Sequence, residues 1–160
     1  MKRILVVSDS HGDVESMITA VHDTEPDMII HLGDCVRDAE ELRDEFPEIP
    51  LENVPGNCDL SMEVPTRVLL IENKKIMICH GHTYNVKASY LSLELAGAER
   101  EADAVLFGHT HRLYYARHNG MLFLNPGSIG SPGYGTPPSY AILTVDGSSD
   151  TIEFETVYME

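Results

Sequence analysis

The chain has 160 residues, of which 42% are hydrophobic, and its formal net charge is −15 with 11 lysines and arginines. This length suits a single domain, spanning 1–160, that can bury a sizeable core. The negative charge argues against a broad nucleic-acid surface or an anionic-lipid surface. No apolar run approaches the roughly 20 residues that a membrane span requires.

The first half of the chain alternates short apolar runs with helical patterns. The apolar runs predict strands at Ile4–Val7, Met28–Ile30 and Leu51–Pro55, and helices are expected between them at Asp13–Thr24 and Val36–Phe46. The first run is too short for a secretion signal, so we expect a cytoplasmic protein. The alternation itself favours parallel strands joined by crossover helices.

The second half combines one helix with several strands. The helix is expected at Ala88–Arg100, with Leu91, Leu95 and Ala98 on its apolar face. The pair Asn119-Gly120 is a strong hairpin signal. The strands are expected at Val68–Glu72, Lys75–Cys79, Ala104–Phe107, Arg112–Arg117, Met121–Asn125, Ser139–Val145 and Thr151–Tyr158. Helices flanking one mixed sheet or two packed sheets are therefore predicted.

A polar cluster follows each of five apolar runs. In chain order these clusters are Ser8-Asp9-Ser10-His11-Gly12, His31-Leu32-Gly33-Asp34, Gly56-Asn57-Cys58-Asp59, Cys79-His80-Gly81-His82 and Gly108-His109-Thr110-His111. Ligand-binding groups in α/β sheets gather beyond the carboxyl ends of the strands. Carboxylate, amide and imidazole donors suit Mn, Fe, Zn, Co or Ni, and Mg stays an alternative.

The spacing within two clusters adds to this prediction. Asp9 and His11 are two residues apart, as are His109 and His111, so in an extended segment each pair would point to one side. Taken singly, each cluster has a plain structural explanation, such as a turn, or a helix cap at Asp13. Five clusters in succession are hard to explain as coincidence, and a metal site is favoured.

The order DxH, GD, GN, GH and GHTH resembles the calcineurin-like metallophosphoesterase superfamily. The GNCD segment, Asn125-Pro126-Gly127-Ser128 and the short length resemble its small single-domain bacterial and archaeal phosphodiesterases. The resemblance implies a four-layer αββα sandwich, in which two mixed sheets are flanked by helices. It also implies two divalent ions, with Mn²⁺ as the first expectation.

The resemblance implies seven metal ligands. One ion would be held by Asp9, His11 and His111, the other by Asn57, His80 and His109, and Asp34 would bridge both. The implied reaction is hydrolysis of a small phosphodiester by in-line attack of a hydroxide that bridges the two metals. Small relatives of this kind are often oligomeric, so a homo-oligomer is a further expectation.

One position departs from the superfamily pattern. Many members carry histidine after the asparagine to assist the leaving group, whereas this chain has Cys58. Three alternatives stay open: His82 takes over this role, water protonates the leaving group, or the substrates have good leaving groups. His82 could instead orient a metal ligand. The expected catalytic positions are Asp34, Asn57, His82 and Cys58.

Two other functions compete with hydrolysis. One is a non-catalytic scaffold, because the retromer scaffold subunit is similar in fold and binds protein partners. A pure scaffold, however, has no need of seven metal ligands. A redox or metal-storage role would use Cys35, Cys58 and Cys79, yet their number is odd and they form no CxxC motif. We expect these cysteines to be reduced, and His22, His31 and His118 to be ordinary surface or core residues.

Overall fold

The computed structural model describes residues 1–60 and 64–159. Within these ranges the helices are α1 (Val14–Thr24), α2 (Val36–Glu45) and α3 (Leu91–Glu99). The strands are β1 (Lys2–Val7), β2 (Met28–His31), β3 (Leu51–Asn53), β4 (Thr66–Ile71), β5 (Lys74–Cys79), β6 (Ala104–Leu106), β7 (Leu113–His118), β8 (Met121–Pro126), β9 (Ser139–Val145) and β10 (Glu153–Tyr158). None of these helices has the length and apolar character that crossing a bilayer requires.

The strands form two mixed five-stranded sheets. The first has the order β10-β9-β1-β2-β3, with β1, β2 and β3 parallel, as the strand–helix alternation predicts. The second has the order β4-β5-β6-β8-β7, with β5, β6 and β8 parallel. β7 and β8 form the predicted hairpin, because Asn119 and Gly120 both adopt the positive φ that a tight turn needs.

Three layers of apolar side chains hold these elements together. Side chains on alternating positions of β1 point to opposite faces, so Val6 packs between the two sheets and Leu5 packs beneath α1 and α2. A third cluster, which includes Leu93 and Phe107, lies between the second sheet and α3. The predicted four-layer αββα sandwich is confirmed.

The predicted apolar face of α3 is wrong. Leu91 and Leu95 are 61% and 62% exposed, whereas Leu93 is buried. The helix carries apolar residues on all sides, so periodicity does not define one face. The buried side is the one that contains Gly97, where a Cβ would lie 2.8 Å from Val105 Cγ2. The absence of that side chain lets the helix approach β6 closely.

The loops after the parallel strands of both sheets meet at one end of the sandwich. The Asp9 amide donates to Gly33 O at 3.0 Å, which joins the loops after β1 and β2. The Gly108 amide donates to His80 O at 2.9 Å, which joins the loops after β5 and β6. All five predicted polar clusters therefore lie at the carboxyl ends of strands, as expected, with His31 and Cys79 as the last residues of β2 and β5.

Candidate metal centre

Two buried carboxylates lie among three histidine rings. Asp9 Oδ1 is 3.2 Å from His111 Nε2, 3.6 Å from His80 Nε2 and 3.8 Å from His11 Nε2. Asp34 Oδ2 is 3.4 Å from His80 Nε2 and 3.7 Å from His11 Nε2. Oxygen and imidazole donors from four loops thus point into one small volume.

The remaining two predicted ligands join this cluster through His80. Its Nε2 lies 3.1 Å from Asn57 Oδ1 and 3.2 Å from His109 Nδ1. The structure therefore brings all seven predicted ligands together. His82 lies beside them, with its ring 5.5 Å from the His80 ring and 6.1 Å from the His109 ring.

Backbone carbonyls orient two of the histidine rings. His80 Nδ1 lies 2.8 Å from Leu32 O, and His111 Nδ1 lies 2.7 Å from Ser131 O. Each Nδ1–H can donate to its carbonyl, which directs Nε2 at the carboxylates, where it donates a proton when the ring is charged and offers a lone pair to a metal ion when the ring is neutral. Histidine ligands of metal ions are commonly fixed through the other ring nitrogen in this way.

The donor geometry fits cations. Among the described residues, the buried Asp9 Oδ1 has no hydrogen-bond partner, although a buried carboxylate oxygen is costly when left unpaired. Two groups of donor atoms lie within 4.8 Å of one another, namely Asp9, His11, His111 and Asp9, Asp34, His80. These groups suit divalent ions of the Mn, Fe, Zn, Co and Ni type. Asp9 belongs to both groups, whereas Asp34 belongs to one of them and also faces His11 of the other. The bridging role of Asp34 therefore stays a prediction.

Most of the predicted ligands have left-handed backbone conformations. The φ values are 54° at Asp9, 42° at His11, 43° at Asp34, 71° at His109 and 60° at His111. The expectation that the DxH and HxH segments are extended is therefore wrong. Their side chains converge because the loops turn sharply at each ligand. Such residues cost about 1–3 kcal/mol each and occur where function requires them.

The electrostatic environment keeps both carboxylates ionised. Burial favours a higher pKa for Asp9, but its contact with His111 and the charge of His80 lower it. The pKa of Asp34 is also lowered, because hydrogen bonds from His80 and the Cys58 amide outweigh its burial. Ionised carboxylates are the form that binds metal ions.

Two histidines at the centre are held neutral. Burial, followed by the charges of His80 and Lys87, lowers the pKa of His109 to about 4. Burial and the charge of His80 also lower the pKa of His82, whose buried Nδ1 has no partner among the described residues. At neutral pH the His109 ring is thus uncharged and can offer a lone pair to a metal ion, and His82 lacks the additional proton that an acid role requires.

The cysteines are free thiols, as predicted. Cys58 is exposed, and its loss of hydration together with the charge of Asp34 raises the pKa of its thiol. Cys79 is buried, which raises its pKa to about 12. Neither group of clustered donors among the described residues includes a cysteine. This arrangement gives no support to a thiol-based metal store.

Several polar side chains that are not predicted ligands fix Asp9 in place. Asp9 Oδ2 accepts hydrogen bonds from Ser8 Oγ at 2.8 Å and from the His109 amide at 3.0 Å. Ser128 Oγ donates to the backbone oxygen of Asp9 at 2.7 Å. The Asn125-Pro126-Gly127-Ser128 segment therefore supports the loop after β1. Because Oδ2 of Asp9 is occupied by two hydrogen bonds, Oδ1 is the oxygen that faces the cluster.

A second network, formed by His31, Ser10 and Asp38, joins the loops after β1 and β2 to α2. His31 Nδ1 accepts from the Gly33 amide at 3.1 Å, so its Nε2–H donates to Ser10 Oγ at 2.9 Å. Ser10 Oγ donates to Asp38 Oδ2 at 2.7 Å, and the Gly12 amide donates to the same oxygen. Sequence patterns missed this network. The one available signal was a histidine at the end of an apolar strand, directly before a ligand loop.

The burial of His31 predicts a loss of stability in acid. Burial lowers its pKa from 6.5 to about 4, so the unfolded chain binds a proton that the folded chain does not. The free energy of unfolding should therefore fall as the pH drops from about 6.5 to about 4, and His31 should account for about 3 kcal/mol of this loss. Urea unfolding of the metal-free protein at pH 7 and pH 4 measures the loss, and His31→Gln should reduce it. His118→Gln, at a half-exposed ring, is the control, and equal losses in all three proteins would contradict the prediction.

A family model described as the calcineurin-like phosphoesterase superfamily domain matches residues 1–148. The probable metallophosphoesterase YsnB of Bacillus subtilis is 36% identical over 155 residues, covering 94% of this chain and 89% of YsnB. The phosphodiesterase YfcE of Escherichia coli is 26% identical over 174 residues, covering 91% of this chain and 89% of YfcE.

Solved structures have the same architecture. A predicted phosphoesterase from Streptococcus pneumoniae superposes with a TM-score of 0.79 at 30% identity, covering 98% of this chain and 89% of that one. Vps29 from Entamoeba histolytica, complexed with zinc, gives a TM-score of 0.71 at 22% identity with 98% of each chain covered, which is a likeness of fold alone. Family model, relatives and donor cluster agree, and the chain belongs to the calcineurin-like phosphoesterase superfamily.

Proposed function

We propose that this chain is a phosphodiesterase that uses two divalent ions, with Mn²⁺ the first candidate, held by the seven clustered ligands. The observation that carries the proposal is the buried Asp9 Oδ1, which lacks a hydrogen-bond partner among the described residues and lies within 3.8 Å of three histidine Nε2 atoms. An ionised oxygen in that environment is stable when a cation binds beside it. We also propose that residues 1–160 form one domain of a cytoplasmic enzyme.

Two divalent ions at this centre would supply a nucleophile at neutral pH and neutralise charge on the phosphoryl oxygens. The residues of the chain set the conditions for this chemistry. The ionised side chains of Asp9 and Asp34 provide the negative charge, and the neutral amide of Asn57 adds a donor without further charge. The Leu32 and Ser131 carbonyls orient the rings of His80 and His111, so little reorganisation is needed when ions bind.

The leaving group receives little help from the protein in this proposal. His82 is neutral because burial lowers its pKa, and Cys58 is a neutral thiol because its pKa is raised. A thiol is a weak hydrogen-bond donor. Of the three alternatives, this environment favours substrates whose leaving groups depart without protonation. Activated diesters should therefore be hydrolysed faster than alkyl phosphomonoesters.

Cys58→His should broaden the substrate range. An imidazole at this exposed position would supply the acid that the wild-type loop lacks, and general acids contribute about a hundredfold or more to such reactions. We expect the ratio of the alkyl monoester rate to the activated diester rate to rise at least about tenfold, measured by phosphate release and p-nitrophenol release. Cys58→Ser should leave the ratio near the wild-type value. An unchanged ratio in Cys58→His would mean that Cys58 does not explain the substrate preference.

The proposed function is tested by hydrolysis of bis-p-nitrophenyl phosphate. The purified chain should release p-nitrophenol when Mn²⁺, Ni²⁺ or Mg²⁺ is added, and should lose this activity in EDTA and regain it with excess metal. Metal binding measured by calorimetry in the same samples separates the alternatives. Tight binding without hydrolysis, under every metal, would refute the phosphodiesterase and favour a metal-binding scaffold of the same fold.

A further inference from the structure

A cavity of about 690 Å³ opens beside the metal centre. Two predicted ligands, His109 and His111, form part of its wall, so a molecule in this cavity lies against the centre. Residues of the segment 131–136 also line the cavity, and Ser131 O anchors this segment to His111 Nδ1 at 2.7 Å. The cavity therefore has a fixed position relative to the proposed reaction site.

Two cations line this cavity in a protein whose net charge is −15. They are Lys87 and Arg112, and within the described ranges neither side chain makes an ion pair or a hydrogen bond. By contrast, Arg67 and Lys75 pair with glutamates elsewhere on the surface. Both cations also line a neighbouring depression of about 400 Å³. The positive charge beside the centre is thus not neutralised by the protein itself.

Both cations share this cavity with the predicted ligands His109 and His111, and Arg112 directly follows His111 in the chain. Thr110, which lies between the two histidines in sequence, also lines this cavity. On the rim, the side chain of Tyr134 is fully exposed and offers a flat surface for stacking.

We propose that this cavity is a second anion subsite, in which Lys87 and Arg112 bind a phosphate group of the substrate other than the one being hydrolysed. The inference rests on the proposed phosphodiesterase function and narrows its substrate class. The preferred substrates are nucleotide diesters that carry an additional phosphate, with the base available to stack on Tyr134. The guanidinium of Arg112 suits a phosphate because its donors match two phosphoryl oxygens.

Two chromogenic substrates that differ by one phosphate test the subsite. Thymidine 3′-(p-nitrophenyl phosphate) is compared with the same compound carrying a 5′-phosphate, using the Mn²⁺-loaded protein. We expect the 5′-phosphate to lower KM about tenfold, which corresponds to about 1.4 kcal/mol of binding. In the Lys87→Gln/Arg112→Gln variant, the KM values of the two substrates should be nearly equal. Lys75→Gln removes a lysine charge elsewhere and should keep the advantage.

Binding measurements separate failure of the subsite from failure of the hydrolase. Calorimetry compares thymidine 3′,5′-bisphosphate with thymidine 3′-monophosphate, using wild type and the double variant in Mn²⁺. Tighter binding of the bisphosphate that depends on Lys87 and Arg112 would support the subsite even if no diester is hydrolysed. Hydrolysis of both substrates with equal KM, or a bisphosphate preference that persists in the double variant, would overturn it.

Discussion

Asp34→Asn should reduce kcat/KM for bis-p-nitrophenyl phosphate by about a hundredfold or more. The Asp34 carboxylate faces both His11 and His80, so losing its charge weakens the attraction for two cations at once. Asparagine keeps an acceptor for the Cys58 amide, which donates to Oδ1 at 2.9 Å, so the loop should keep its shape. We expect the bound metal to fall from two ions per chain to one, measured by elemental analysis after dialysis.

The matched control for this substitution is Asp146→Asn, in a turn after β9. The pKa of Asp146 is lowered by hydrogen bonds from Ser148 and by the charge of the N-terminus, with no metal-centre residue involved. This variant should retain wild-type metal content and rate. If Asp34→Asn keeps two ions and normal turnover while its circular dichroism is native, Asp34 does not bridge the metals.

Gly130→Ala should destabilise the fold and the metal centre together. A Cβ at this position would overlap the carbonyl oxygen of Ser10 and lie 3.0 Å from its Cα. The backbone of Ser10 cannot retreat without moving Asp9 and His11, its neighbours on either side. We expect the free energy of unfolding to fall by about 3 kcal/mol. Urea denaturation of the metal-free protein measures this loss, and calorimetry should show weaker Mn²⁺ binding.

Gly133→Ala tests whether the effect arises from the close contact at Gly130. Gly133 lies three residues further along the same loop, and the nearest atom to a Cβ there is Thr136 Oγ1 at 4.0 Å. Its unfolding free energy and metal affinity should stay close to wild type. Equal losses in both variants would mean that the loop as a whole, and not its packing on Ser10, is sensitive to substitution.

The strands and the polar clusters that follow them could be predicted because both depend on short-range patterns, whereas the four-layer sandwich and the seven-ligand set were implied by the resemblance to the superfamily. Buried parallel strands such as β1 and β2 are continuous apolar runs, and their polar clusters follow directly in the chain. Once the strands are recognised, their carboxyl ends must meet at one edge of the sheet. Asp9 and Asp34 could therefore be assigned to one site without knowledge of any distance.

Other features depend on contacts that no local pattern records. The network of Ser10, His31 and Asp38 forms only after α2 packs on the first sheet, and it brings together residues up to 28 positions apart. The backbone at His109 and His111 is left-handed, a conformation that is uncommon outside glycine and that the residue type alone does not predict. The buried face of α3 depends on how closely Gly97 approaches a neighbouring strand.

The position of β1 at the centre of its sheet has a consequence for how the protein folds. β1 pairs with β9 from Lys2↔Val145 to Val6↔Ala141, so one edge of β1 has no partner until β9, which is much later in the chain, leaves the ribosome. Contacts so distant in sequence slow folding to milliseconds or longer, and an open apolar edge invites aggregation in the meantime. Nascent chains that stall before β9 should therefore be substrates for chaperones, whereas those that pass it can complete the first sheet and cover this edge.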